Sequence, residues 1–171
     1  LYANKKIKAA DIWRKARLSA EANRLRAVRK AVEIVAPDSV GNLRDAVDSP
    51  TKYLTGRATA SGKAKQEFIV LALIRMTMGD PEAAARLLDS KWGVQLSAEE
   101  RNWIWGLIGK QSAIALSPNA LTYFGNVTRD ADLNDDMLAW RTRAALRGGQ
   151  WKVVSRSIEA MSPAGRADPT W

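Results

Sequence analysis

The chain has 171 residues, 46% hydrophobic and 26% charged, with 6 prolines and 11 glycines. That is ordinary globular composition, large enough to bury a core without a disulfide or metal staple. It contains no cysteine and no histidine, which excludes disulfides, thiol chemistry, Ser-His-Asp triads and histidine-based metal sites. Any catalysis by this chain alone would depend on carboxylates, Lys or Tyr, and no cofactor is expected. No window reaches the roughly 18 consecutive apolar residues of a membrane span. The chain opens at Leu1-Tyr2-Ala3 without a methionine or an apolar signal core, so it is expected to be a fragment of a longer product.

The net charge of +9 is unevenly placed. Up to Arg75 there are 16 Lys+Arg against 7 Asp+Glu, and 11 against 11 after it. The charge therefore separates a basic part, residues 1–76, from a neutral part, residues 77–171, within one helical-repeat segment spanning 1–171. Such asymmetry suits an acidic partner: nucleic acid, anionic lipid headgroups or an anionic polysaccharide. A solvated helix face of high pI accounts for the same pattern.

The apolar pattern is helical almost throughout. Leu25, Val28, Val32 and Val35 form a narrow stripe on one helix face. That helix should stop at Ala36-Pro37, because the residue before a proline is kept out of the helical region. Gly41, Pro50, Gly56 and Gly62 punctuate a softer region, read as two short helices. Phe68 to Ile74 is apolar on every side of a helix, so this element should be central and covered by neighbours. Asp80 and Pro81 then suit the cap and first position of a helix whose inward stripe is Ala83, Ala84, Leu87 and Leu88.

Ser97 and Glu100 have the spacing of a capping box. The helix they start carries Trp103, Ile104, Leu107, Ile108 and Ile114, and Ser117-Pro118 opens a short one with Leu121 and Phe124. A loop from Thr128 to Leu133 precedes a helix with Met137, Trp140, Ala144 and Leu146. Gly148-Gly149 breaks it, and Trp151, Val154, Ile158 and Met161 line the next. Ser162-Pro163 caps a further turn. Breaks near Pro37, Asp80, Pro118 and Gly149 are about 43, 38 and 31 residues apart, the range of helical-hairpin repeats. The expected fold is all-α: a right-handed superhelix, or α-solenoid, of stacked helical hairpins, with an ordinary helical bundle as the alternative.

The acidic pairs Glu99-Glu100 and Asp135-Asp136 are poor catalytic candidates. Neighbouring helix residues point about 100° apart, so neither pair aims at a shared point. Both also sit at helix starts, where negative charge is stabilised. Gly106 and Gly109 lie inside a helix pattern and make no phosphate loop; their expected role is close helix approach. Trp103 and Trp105 are two apart and cannot share a helix face, so one should be core and the other partly exposed. The basic stretch lacks a helix-turn-helix, zinc spacing or an aromatic-basic sheet motif, which disfavours nucleic acid.

The C-terminal residues Met137-Leu138-Ala139-Trp140-Arg141-Thr142-Arg143-Ala144-Ala145-Leu146-Arg147-Gly148-Gly149-Gln150-Trp151, followed by Ile158 to Ser162 and Asp168-Pro169-Thr170-Trp171, resemble the superhelical region of soluble lytic murein transglycosylases. There a W-R-x-R-A-A-L-R-x-G-x-W helix turn precedes a D-P-x-W segment. Leu96 to Arg101 and on to Gln111 is similar to the preceding part, and the resemblance runs from about Val70 onward. It implies a periplasmic setting in a Gram-negative bacterium, with possible outer-membrane association. The implied enzyme cleaves peptidoglycan between N-acetylmuramic acid and N-acetylglucosamine to leave 1,6-anhydro ends. It also implies a lysozyme-like catalytic domain after Trp171. The family's catalytic Glu-Ser, G-L-M-Q and A-Y-N motifs have no match here, so no catalytic or metal-binding residue is carried over.

The resulting expectation is a non-catalytic scaffold that positions substrate. Its partners would be peptidoglycan, its own C-terminal catalytic domain and other cell-wall proteins. Lys5, Lys6, Arg14, Arg24, Arg26 and Arg29 are the candidate residues for pairing with glycan or other polyanion carboxylates. The alternative is a helical-repeat module for protein–protein interaction.

Overall fold

The computed structural model describes residues 7–171, so the candidate residues Lys5 and Lys6 lie outside it. The fold is all-α: 75% helical, with no strand among the described residues. The chain divides into two compact units. The first comprises the residues up to Asp80 together with Ser90–Leu96, and the second Pro81–Asp89 together with Ser97–Trp171.

The first unit holds α1 (Ala9–Glu21), α2 (Leu25–Val35), α3 (Val40–Asp48), α4 (Pro50–Thr55) and α5 (Lys63–Thr77). The Asp11 carboxylate accepts the Lys8 amide at 3.1 Å and so satisfies one free donor at the start of α1. The α1–α2 hairpin turns at Asn23, whose φ of 56° is a left-handed conformation that asparagine tolerates. The Arg24 amide reaches back to the Ser19 carbonyl at 2.8 Å, and Arg75 of α5 donates to the Asn23 side chain at 2.8 Å. As expected, α2 stops before Pro37, and α3 and α4 are the two short helices of the softer region.

Helix α5 is the centre of this unit, packed by α1, α3 and α4. Phe68 to Ile74 are buried on every side, and Trp13 of α1 meets Phe68 edge-on at 6.4 Å. One charge enters this core with its partner. Arg17, from the basic N-terminal run, is 3% exposed and donates through Nε and Nη2 to both oxygens of fully buried Glu67, at 3.0 and 2.7 Å. Lys63 reaches the same carboxylate at 2.7 Å.

The second unit holds α6 (Pro81–Leu87), α7 (Ala98–Ile114), α8 (Ala120–Gly125), α9 (Asp135–Arg147), α10 (Trp151–Glu159) and α11 (Pro163–Arg166). Helix α7 starts on the expected capping box. Ser97 Oγ accepts the Glu100 amide at 3.2 Å, and the Glu100 carboxylate accepts the Ser97 amide at 2.8 Å. Helices α6, α8 and α9 all pack on α7, so both Trp103 and Trp105 are buried. This corrects the expectation that one of the two indoles is partly exposed. Three neighbours cover more of the helix than its apolar stripe suggests.

Gly106 and Gly109 provide the close approach. A Cβ at Gly106 would collide with Leu133 and lie 2.9 Å from the Met137 sulfur; at Gly109 it would fall 2.7 Å from the Phe124 ring. Further on, Asn134 caps α9 by accepting the Met137 amide at 2.9 Å. Gly149, with φ of 64°, turns the chain into α10. Trp151, read as part of the stripe of α10, is instead 70% exposed. It stands at the first residue of the helix, whose buried position is Ser157 near the far end, with Met161 buried just beyond the helix.

Asp135 accepts from the Ser162 amide at 2.8 Å and from its hydroxyl, while Ser162 Oγ caps α11 by accepting from Gly165. The Arg143 guanidinium lies 5.2 Å from the ring centroids of both Trp140 and Trp171. The W-R-x-R and D-P-x-W segments therefore meet around one cation.

Two glycine substitutions separate steric from entropic effects. Gly109→Ala should cost about 1–3 kcal/mol through overpacking against Phe124. Gly41→Ala, in α3 with open space around the added methyl, should stabilise by about 0.5–1 kcal/mol. Urea denaturation should move the two midpoints in opposite directions.

Candidate functional site

The apolar stripe of α2 turns Val28 and Val32 inward, which leaves Arg26, Arg29 and Lys30 exposed. Beside them Leu43 and Val47 anchor α3 to the core. Between the two helices runs a groove of about 360 Å³, floored by Leu25, Val40, Leu43 and Val47 and rimmed by Arg26, Arg29, Arg44 and Asp48. Arg29 pairs with Glu33 at 3.0 Å and Arg44 with Asp48 at 3.4 Å, each within its own helix. Arg26 has no ion-pair partner among the described residues. Exposed pairs of this kind are worth about 0.2–1 kcal/mol, so their arginines exchange partners readily.

The structure thus brings together two of the six candidate residues. Arg24 adjoins them, lining a separate depression with Arg26, Asn23, Leu25 and Ala27. Arg14 is exposed on α1 and lines neither groove. Arg44 was missed by the sequence reading. The signal for it was the Val40, Leu43 and Val47 spacing of α3, which turns Arg44 outward beside the apolar face. Counted over the whole sequence, the first unit has 17 Lys+Arg against 8 Asp+Glu and the second 10 against 10, so the entire +9 belongs to the first.

Glu100, Asp135, Asp136 and Asp132, at the starts of α7 and α9 and in the turn before α9, are tied to separate groups. Glu100 is enclosed in its capping box, Asp135 binds Ser162, and Asp136 pairs with Lys110. Arg129 donates to Asp132, which also accepts from Asn102 at 2.8 Å, and Asn102 in turn accepts the Thr128 amide. The segment read as a loop, Thr128 to Leu133, is therefore a bonded turn with a 3₁₀ core over Asp130–Asp132.

Asp130 joins α9 to α10. Arg141 reaches it at 2.7 Å and Arg156 at 2.5 Å, while Arg141 Nε donates to buried Ser157. Partial burial pushes the Asp130 carboxyl upward, but hydrogen bonds and charge from Arg141 and Arg156 win and hold it below the usual carboxylate range. A general acid needs the opposite shift.

Because the folded-state pKa is depressed, the stabilisation is complete above the unfolded value and lost as pH falls through the folded one. Stability of the second unit should therefore fall in acid, from about pH 4 downward. Asp130→Asn should cost about 1–2 kcal/mol at neutral pH and flatten that acid slope. Thermal unfolding followed from pH 7 to below pH 3 checks both.

No protein-family model matches the chain, and comparison with curated proteins returns no match. Among solved structures, the fold is similar to an inactive mutant of the lytic transglycosylase Slt from Pseudomonas aeruginosa, with a TM-score of 0.67 and 22% sequence identity. The similarity covers 99% of this chain and 28% of that one. The chain therefore spans under a third of the length of this neighbour, and at this identity what the two share is the fold.

Proposed function

We propose that this chain is the scaffold and substrate-positioning segment of a peptidoglycan lytic transglycosylase, non-catalytic in itself. The enzyme would cleave the N-acetylmuramic acid–N-acetylglucosamine bond in a periplasmic setting, through a catalytic domain C-terminal to this segment. The observation that carries the reading is the fold similarity to a lytic transglycosylase over 99% of the chain. The C-terminal resemblance supports it, since both of its segments converge on Arg143.

The α2–α3 groove supplies the positioning chemistry. Peptidoglycan carries free carboxylates on its stem peptides, and on muramic acids only where the stem is absent. Arg26, Arg29 and Arg44 can pair with these, while the apolar floor takes the aliphatic parts of the stem. Attraction of this kind is salt-sensitive and weak per contact, which suits a surface along which substrate is handed rather than held.

A protein–protein interaction module is the second reading, favoured by the exposure of Leu116, Leu146 and Trp151 in the second unit. It predicts stoichiometric capture of one protein, indifferent to added glycan.

Soluble muropeptides should shift amide NMR signals around Arg26, Arg29 and Arg44. The double reversal Arg26→Glu, Arg29→Glu should weaken binding roughly three- to tenfold. Absence of any shift at millimolar muropeptide would remove the binding role and leave a purely architectural one.

A further inference from the structure

A second groove, about 400 Å³ and within the size range of ligand sites, lies in the second unit against α6, α7 and α8. Trp105 and Tyr123 stack on its floor, ring centroids 6.2 Å apart and 16° from parallel, with Trp105 buried and Tyr123 half-buried. Two exposed polar rows flank them. Glu82, Arg86 and Asp89 lie along α6 and its continuation, and Asn119, Thr122 and Asn126 along α8. The rows have spacings of four and three, and of three and four, so each follows one face of its helix.

The side chains of Glu82, Asp89, Asn119, Thr122 and Asn126 make no hydrogen bond or ion pair with another described residue. Each is open to an outside ligand. Two carboxylates against one arginine disfavour an anion. Amides, a hydroxyl and carboxylates beside an aromatic face match a ligand with many hydroxyl or amide groups on one edge and an apolar C–H face.

We propose that this groove is a binding site for a neutral saccharide, with Tyr123 as the stacking platform and the two polar rows reading ring hydroxyls and acetamido groups. The choice of an N-acetylhexosamine chain as the saccharide rests on the peptidoglycan reading above; the groove itself asks only for a neutral sugar. The site is separate in residues and in chemistry from the arginine groove of α2 and α3.

The test uses the 171-residue chain and chitohexaose, which carries neither carboxylate nor peptide. Titration should shift the amide signals of Thr122, Tyr123 and Asn126 and the side-chain amides of Asn119 and Asn126, and should be insensitive to salt. Tyr123→Ala should weaken binding roughly tenfold, the scale of one lost stacking contact, and Tyr123→Phe should retain it. Thr122→Arg, an exposed change that fills the groove without touching the core, should abolish it. No shift at several millimolar sugar, or an unchanged affinity in Thr122→Arg, overturns the proposal. So does a lysine-bearing peptide that shifts these signals where the sugar does not. If chitohexaose fails while muropeptides still shift the signals around Arg26 and Arg29, this site falls and the basic-groove reading stands. The converse result separates them the other way.

Discussion

Two helices with no polar side set the terms for everything around them. Helix α5 buries Phe68 to Ile74 on all faces, and α7 buries Trp103 to Gly109 in the same way. Neither can exist alone in water, because each must be sheathed before its side chains gain anything. A fully buried Leu, Ile or Phe contributes about 1.5–3 kcal/mol, against about 1–2 kcal/mol per residue of backbone ordering. The margin appears only when a sleeve of neighbours assembles. That explains why the surrounding helices are short and one-sided: α2, α3 and α4 each offer a narrow apolar face and need not be stable by themselves.

Burial on all sides leaves register undefined, and polar groups supply it. Arg17 with Glu67 fixes α1 along α5, since any slip would leave a buried charge without its counter-ion. Asn102 with Asp132 and Thr128 fixes the connection before α9 against α7, and Asp130 fixes α9 against α10. Such pairs add little net stability over an apolar core of equal volume. Their effect is on the misaligned alternatives, which they penalise. Gly106 and Gly109 act to the same end sterically, because Leu133, Met137 and Phe124 fit only where no side chain stands.

Much of this was legible in the sequence, for identifiable reasons. The all-round apolar run of α5, the Ser97–Glu100 box and the Pro37 stop are local signals whose physics does not depend on the rest of the chain. The glycines of α7 were also readable, as gaps for close approach. Exposure was harder. The two-residue spacing of Trp103 and Trp105 predicts one partly exposed indole because it gives no sign of a third neighbour. The spacing of Trp151 with Val154, Ile158 and Met161 puts Trp151 on an inward stripe, although it stands at the exposed helix start. Arg17 and Arg29 are indistinguishable in sequence, yet one is internal and the other rims a groove. The difference is Glu67, fifty residues away, and no periodicity announces such a partner. Arg44 went unnoticed because its apolar neighbours on α3 become a groove floor only when α2 is laid beside them.

The placement of charge then bears on how a surface of this kind works. All of the +9 lies on the first unit, where Arg26, Arg29 and Arg44 stand over an apolar floor. Charge acts across a distance of about a Debye length and fades with salt, so it gathers an anionic chain without fixing its position. The second unit is neutral, and its groove offers shape and directed hydrogen bonds, which act only at contact and tolerate salt. A polymer that alternates carboxylate-bearing stems with uncharged sugar faces would, on the proposed reading, present a ligand to each kind of surface. Under the proposed function, attraction without fixation at one groove and fixation without attraction at the other would together suffice to position a long substrate through weak contacts.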